Sequence, residues 1–320
     1  MALLEVDDLS VSYATSSGEV VAVDHVDLHV EPNEFVGVVG ESGCGKSTLL
    51  FGIAQLLSSP ARITGGSVRF KGRDLVSLSS RELRAQRWRD FSVVMQSAMN
   101  ALNPVKSIGA QFIDAVKAHE QMPKARIRER SAEMLRLVGI DPVHLKSYPH
   151  QLSGGMRQRA MIAMALLFTP DLVIMDEPTS ALDVVAQRSL MAQISELQDA
   201  LGFAVVFVTH DMSLVSHYSD RLVVMYAGQT VEVGDTRDVF DSPQHPYSQG
   251  LLDAFPSIRG PKTTLTGIPG APPDLALPPP GCRFAPRCPM VMDKCHTIEP
   301  ELYRAGSALA RCLLYDGEAK

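Results

Sequence analysis

The chain has 320 residues, is 45% hydrophobic and 21% charged, and carries a formal net charge of -6. This balance excludes disorder over most of the length, supplies enough apolar residues for a sizeable core, and leaves no global basic field to hold nucleic acid. The amino end lacks a basic segment followed by an apolar run, and the longest apolar stretch, residues 160–168, falls far short of the ~20 residues of a bilayer span. The expectation is a cytoplasmic chain, for which any membrane role must be borrowed from partners.

In chain order, Val26, Leu28 and Val30 alternate with polar residues, the pattern of a half-buried antiparallel strand. Compact apolar runs at Phe35–Val39, 92–95, 172–175 and Ala204–Val208 predict strands buried on both faces. Between the second and third of these, Ile127, Ser131, Leu135 and Val138 recur at helical spacing. The mixture predicts an α/β core over residues 1–240, with a parallel sheet, an antiparallel β subdomain and a helical subdomain inserted at about residues 97–168. Composition then shifts. Thirteen of the 21 prolines and four of the five cysteines lie in residues 241–320, which are expected to form a Pro/Cys-rich C-terminal extension. Within it, residues 269–280 (PGAPPDLALPPP) read as a semi-rigid extended linker.

Gly40-Glu41-Ser42-Gly43-Cys44-Gly45-Lys46-Ser47-Thr48 fits the phosphate-loop pattern G-x-x-x-x-G-K-S/T, and it lies between a strand-like run and an apolar helix-like segment. Glycines let backbone N–H groups curl around a pyrophosphate, and the helix amino end adds partial positive charge. Lys46 is placed to neutralise β and γ phosphates and Ser47 to offer a hydroxyl to Mg2+. The core is therefore a P-loop NTPase. Cys44, at the helix amino end, is expected to have a lowered thiol pKa; with no His base indicated nearby, it reads as a small loop residue. The apolar run at 172–175 ends in Asp176 and Glu177. Strand alternation separates the two carboxylates, Asp176 to hold Mg2+ through water and Glu177 to polarise an attacking water.

Leu152-Ser153-Gly154-Gly155-Met156-Arg157-Gln158-Arg159, shortly before Asp176, resembles the signature of ATP-binding-cassette (ABC) transporter ATPases. The resemblance implies ATP and Mg2+ as the bound species. It also implies that Gln96 is the Q-loop glutamine and a Mg2+ ligand, and that Ser180-Ala181-Leu182-Asp183 is the D-loop. By the same resemblance His210 is the switch histidine, catalytic with Lys46 and Glu177, and Tyr13 is the aromatic that stacks on adenine. Each ATP site of the family joins the phosphate loop of one subunit to the signature of another, so Ser153, Gly154 and Gly155 would face a γ-phosphate held by the partner.

Tyr148-Pro149-His150-Gln151, Ala101-Leu102-Asn103-Pro104, His245-Pro246-Tyr247 and the run from Gly281 through Cys282, Arg283, Phe284, Ala285, Pro286, Arg287 and Cys288 to Pro289 resemble the oligopeptide and dipeptide permease ATPases. Ser97-Ala98-Met99-Asn100 departs from the Asp-Pro usual after the glutamine. The implied protein is the ATPase subunit of a peptide importer on the cytoplasmic face of the inner membrane. It would pair with a second ABC ATPase subunit, as a heterodimer, beneath two transmembrane permease subunits served by an external substrate-binding protein. The family also imports oligosaccharides, nickel and glutathione. A soluble ABC ATPase of DNA repair or translation is the competing reading, against which stand the single cassette and the lack of heptads or a basic patch.

The tail spacing is Cys-x5-Cys-x6-Cys-x16-Cys, through Cys282, Cys288, Cys295 and Cys312. A reducing compartment disfavours disulfides, and four thiolates on Pro- and Gly-rich loops suit an Fe–S cluster or tetrahedral zinc. The short C-x2-C knuckles of structural zinc are absent, and some members of the resembled family carry a 4Fe–4S cluster here. That cluster is the expectation, with zinc and free thiols left open; His296 is read as a bystander.

Overall fold

A computed structural model describes residues 2–16, 18–96, 101–180, 182–254 and 267–317. The chain divides into two compact units, one of residues 1–30, 35–76 and 208–320, the other of residues 31–34 and 77–207.

The first unit opens with β1 (Leu4–Thr15) and β2 (Gly18–Val30), paired antiparallel from Leu4↔Val30 to Thr15↔Gly18. Toward its end β2 alternates as the sequence predicts: Val26, Leu28 and Val30 are buried while Asp27 and His29 are exposed. After β3 (Phe35–Val39), buried along its whole length, β4 (Ala61–Phe70) and the short β5 (Arg73–Asp74) complete an antiparallel sheet of order β2-β1-β4-β5.

The second unit holds three strands in the order β8-β7-β6: β6 (Phe91–Val94), β7 (Leu172–Asp176) and β8 (Ala204–Val208). β6 and β7 pair in parallel, and β7 and β8 are buried throughout. The described helices of the insertion are Ile108–His119 and Lys124–Leu137, followed by Gly154–Ala165. In the second of these, Ile127, Ser131 and Leu135 are fully buried, and the Ser131 hydroxyl donates to the Ile127 carbonyl at 2.6 Å. The back-bond lets a polar residue occupy the buried stripe.

Back in the first unit, β9 (Arg221–Tyr226) runs parallel to β3, and β10 (Gln229–Asp235) turns back antiparallel to β9. The extension belongs to this unit. Its strands β11 (Tyr303–Ala305) and β12 (Ala308–Ala310) form a hairpin closed by Ala305↔Ala308, with Gly306 at φ +62° in the turn. β12 then pairs with β10 through Glu232↔Ala310 and Val233↔Leu309. Although the extension is rich in proline, the proline-free stretch around the Gly306-Ser307 pair is enough for a two-residue turn and a short edge hairpin.

Candidate functional site

β3 delivers the chain to the phosphate loop. Gly40 has φ +152°, and a Cβ there would lie 2.2 Å from the Met225 carbonyl oxygen; Gly45 has φ +104° and would meet the Ala22 carbonyl oxygen at 2.1 Å. Neither place admits a side chain, so the backbone path itself demands both glycines. The helix Lys46–Ile53 starts directly after the loop. Lys46 is buried, and its Nζ donates to the carbonyls of Gly40 at 2.8 Å and Glu41 at 2.9 Å. Ser42 and Gly43 are exposed, and Ser47 is half-buried. The Tyr13 hydroxyl and Thr48 Oγ1 are hydrogen-bonded at 3.1 Å, which ties the tyrosine to the helix behind the loop.

Cys44 departs from its expected chemistry. The side chain is only 4% exposed, and burial pushes the thiol up, with nearby Lys46 pulling it down by less. Desolvation outweighs the helix amino end.

His210 follows β8 and is exposed. Its neighbours fix it: the Thr209 amide donates to the Val38 carbonyl at 3.3 Å, and Asp211 caps the helix Met212–Tyr218 by accepting from the Ser213 amide at 2.9 Å.

In the second unit β7 ends at Asp176, which is 1% exposed. Glu177 adopts φ +45°, a left-handed conformation costly for a side chain with a Cβ. Gln96 Nε2 donates to Glu177 Oε2 at 2.6 Å, so the glutamine and the second carboxylate are brought together. From the helix Gly154–Ala165, buried Gln158 donates through Nε2 to the Pro178 carbonyl at 2.6 Å, bracing the turn just after Glu177. The same helix is capped by Ser153, whose hydroxyl accepts from the Met156 amide at 3.3 Å. Ser153 is exposed and Gly154 half-buried. A Cβ added at Gly155 would meet nothing within 4 Å. Among the described residues, no contact therefore requires glycine at that position. Asp183 caps Val184–Leu201 through the Ala186 amide at 2.9 Å. Residues 97–100, with the expected departure from the Asp-Pro pattern, and Ala181 of the D-loop lie outside the described residues.

The sequence reading gave no role to the residues that surround the phosphate loop from the extension side. His245 caps the helix Pro246–Asp253, its Nδ1 accepting from the Tyr247 amide at 3.0 Å. Tyr247 is fully buried, and its hydroxyl accepts from the Glu41 amide at 2.9 Å. Tyr247 stacks obliquely on Tyr226 at 4.6 Å between centroids, and Phe284 meets Tyr226 edge-on at 5.3 Å. Arg287 forks onto the Glu41 carboxylate at 2.8 and 2.9 Å, and Arg283 pairs with Asp24. His245, Tyr247, Arg283, Phe284 and Arg287 stand inside family-like motifs of the sequence, but nothing local says they reach back across the chain.

The four tail cysteines do not meet the expectation of a gathered metal site. Among the described residues, no group of three or more His, Cys, Asp or Glu side chains is placed to hold a metal ion. Cys295 and Cys282 pack with Ala285 and Leu313, whereas Cys312 packs with Ala305 and Ala310. Burial raises the thiols of Cys282 and Cys288 and pushes Cys312 up to about 11, with neighbouring tail cysteines adding to each shift, so Cys282 and Cys312 pack in the tail's small apolar clusters as neutral groups.

Fold and loop together define an ATP-binding cassette. A bacterial ABC transporter cassette solved as a dimer superposes with TM-score 0.66 at 27% identity, covering 73% of this chain and 99% of that one. The cbiO1 component of the Clostridium perfringens cbiONQ ABC transporter complex gives 0.64 at 29% identity, over 75% and 91%. Residues 23–180 match the ABC transporter family and residues 231–295 the C-terminal region of oligopeptide/dipeptide transporters. The dipeptide transport ATP-binding protein DppD of Bacillus subtilis is 44% identical over 99% of this chain and 96% of its own. The oligopeptide transport ATP-binding protein OppD of Salmonella typhimurium is 45% identical over 93% and 89%. The chain belongs to the ATP-binding subunits of the oligopeptide/dipeptide branch of ABC transporters.

Proposed function

We propose that this chain is the ATP-hydrolysing subunit of a peptide importer. The observation that carries the reading is the phosphate loop, whose glycines are forced by carbonyl contacts at Gly40 and Gly45 and whose lysine is buried against loop carbonyls. A backbone so curled presents N–H groups to phosphate oxygens. Mg2+ would be held by Ser47, Asp176 and Gln96, where it supplies positive charge to the β and γ phosphates. Lys46 neutralises the same phosphates, Glu177 polarises the attacking water and His210 orients it toward the γ-phosphate. Tyr13 offers its ring to adenine.

Ser153, Gly154 and Gly155 serve a second subunit's nucleotide. Support for this is the exposed Ser153 at the helix amino end and the space around Gly155, where no described residue requires glycine. The partner is a related ABC ATPase subunit, the assembly carries two permease subunits, and an external binding protein hands over the cargo. No described helix is long and apolar enough to cross a membrane, in keeping with a peripheral place on the inner face. A 4Fe–4S cluster on Cys282, Cys288, Cys295 and Cys312 rests on the spacing and the resemblance, against the packing of these side chains as thiols. Iron and acid-labile sulfide assays after anaerobic purification decide it, and no step of hydrolysis runs through it.

The test of the whole reading is reconstitution with the permease subunits and binding protein in proteoliposomes. ATP-dependent uptake of labelled di- or oligopeptides is expected; uptake of an oligosaccharide, nickel or glutathione in their place would reassign the cargo, and ATP turnover without any uptake would favour the soluble ATPase.

A further inference from the structure

A phosphate loop must hold a polyanion, yet its second residue here is Glu41. An uncompensated carboxylate in that place repels the ligand it helps to enclose. The compensation comes from far along the chain. Arg287, with 5% of its side chain exposed, meets the 26%-exposed Glu41 carboxylate in a two-pronged ion pair. The guanidinium is itself held by the Pro269 carbonyl at 2.9 Å and the Tyr226 hydroxyl at 3.3 Å. Tyr247 holds the same loop residue by its amide. Residue 41 is thus fixed at the amide and the carboxylate by the extension, and at the carbonyl by Lys46.

We propose that Arg287 is a positioning residue for nucleotide binding: it neutralises and orients Glu41, and so makes the affinity of the phosphate loop for ATP depend on the C-terminal extension. A planar fork with a fixed anchor suits this task better than a mobile ammonium. By linkage, whatever loosens the segment carrying Arg287 weakens nucleotide binding, and bound nucleotide tightens that segment.

The inference rests on the reading of residues 40–48 as the ATP loop, and the experiment separates the two. Fluorescent Mg-ATP analogue titrations use the full-length chain at two ionic strengths, with far-UV circular dichroism as the check on folding. Wild type that binds no nucleotide fails the loop reading. With wild type binding, Arg287→Ala is expected to lose about 10-fold in affinity, within the usual range of site-to-site coupling. Removing the bared carboxylate as well, in Glu41→Gln with Arg287→Ala, is expected to recover affinity to within about 3-fold of wild type, and Glu41→Gln alone to tighten binding by about 3-fold at low salt. A purely structural role for Arg287 predicts the opposite for the double variant, which would bind no better than Arg287→Ala. That result, or unchanged affinity in a folded Arg287→Ala, overturns the proposal. Should Arg287→Ala fail to fold, Glu41→Gln decides: tighter, less salt-resistant binding supports the inference, and unchanged or weaker binding overturns it.

Discussion

Glu177, the proposed base, has a left-handed backbone and accepts a 2.6 Å hydrogen bond from Gln96. Replacing it by Gln keeps the shape and removes the base; ATP binding should persist while turnover in the assembled importer falls by about 10²-fold or more. Near-normal turnover would remove Glu177 from the role of base. Cys44 carries a different expectation than its sequence position gave. Buried and raised in pKa, it should react with iodoacetamide far more slowly than a free thiol even before nucleotide is added; rapid labelling in a peptide map would contradict the buried placement.

His245 brings a pH dependence. It is 1% exposed, and burial depresses its pKa from 6.5 to about 3. Below pH 6.5 the unfolded chain therefore takes up a proton that the native imidazole refuses, and stability falls as pH drops through that window toward 3. Glu232, which accepts from the His245 amide and is raised by burial, acts with the opposite sign, because the native carboxyl takes its proton first. Comparison with His245→Asn, which keeps a capping side chain, isolates the histidine. Between pH 7.5 and 5.5 wild type should lose about 1.4 kcal/mol more than the variant in urea unfolding. Equal losses would mean the imidazole titrates normally in the native state.

At the scale of elements, the signature helix makes the separation between intrachain and interchain demands testable. Gly40 and Gly45 are required by carbonyls of this chain, whereas no contact among the described residues requires Gly155. Gly155→Ala should then leave the thermal unfolding of the isolated subunit unchanged to within about 1 °C, or slightly raise it through helix propensity, while lowering turnover in the assembled importer by 10-fold or more. Loss of stability in the isolated chain would show an internal requirement instead. This contrast also marks how far the sequence could be read. Runs such as 172–175 and the 127/131/135 stripe declare strands and helices because their periodicity is local. The phosphate-loop glycines declare themselves through a spacing, and Ser153 only through the family resemblance. The Gln96–Glu177 bond and the left-handed Glu177 do not, since both depend on how separate segments meet. Nor did the Cys44 thiol: its position on a helix end was legible, but its burial was not, and burial set its chemistry.

On the scale of the whole molecule, the extension reads in sequence as an appendage, rich in proline and cysteine. In the structure it shares a compact unit with the phosphate loop, adds two strands beside β10, and anchors the loop through Tyr247 and Arg287. The reason the sequence hides this is separation: a salt bridge between residues with 245 others between them leaves no periodic trace. The purified subunit should be mostly monomeric with weak ATPase activity, rising substantially when the partner subunits are added; full activity in a demonstrably monomeric sample, by light scattering and turnover together, would refute a shared site.

Glu41 and Arg287 are 246 positions apart, and that distance is also a delay. At a synthesis rate of about 5–20 residues per second, the nucleotide loop leaves the ribosome roughly 10–50 s before the arginine that steadies it. During that interval the nascent cassette holds a complete phosphate-loop sequence with an unneutralised acid inside it. A message cut short, or a chain nicked ahead of residue 287, would yield a product that carries every nucleotide-contacting motif and yet grips ATP poorly. On the Arg287 proposal, tight nucleotide binding is thereby postponed until residue 287 has been made.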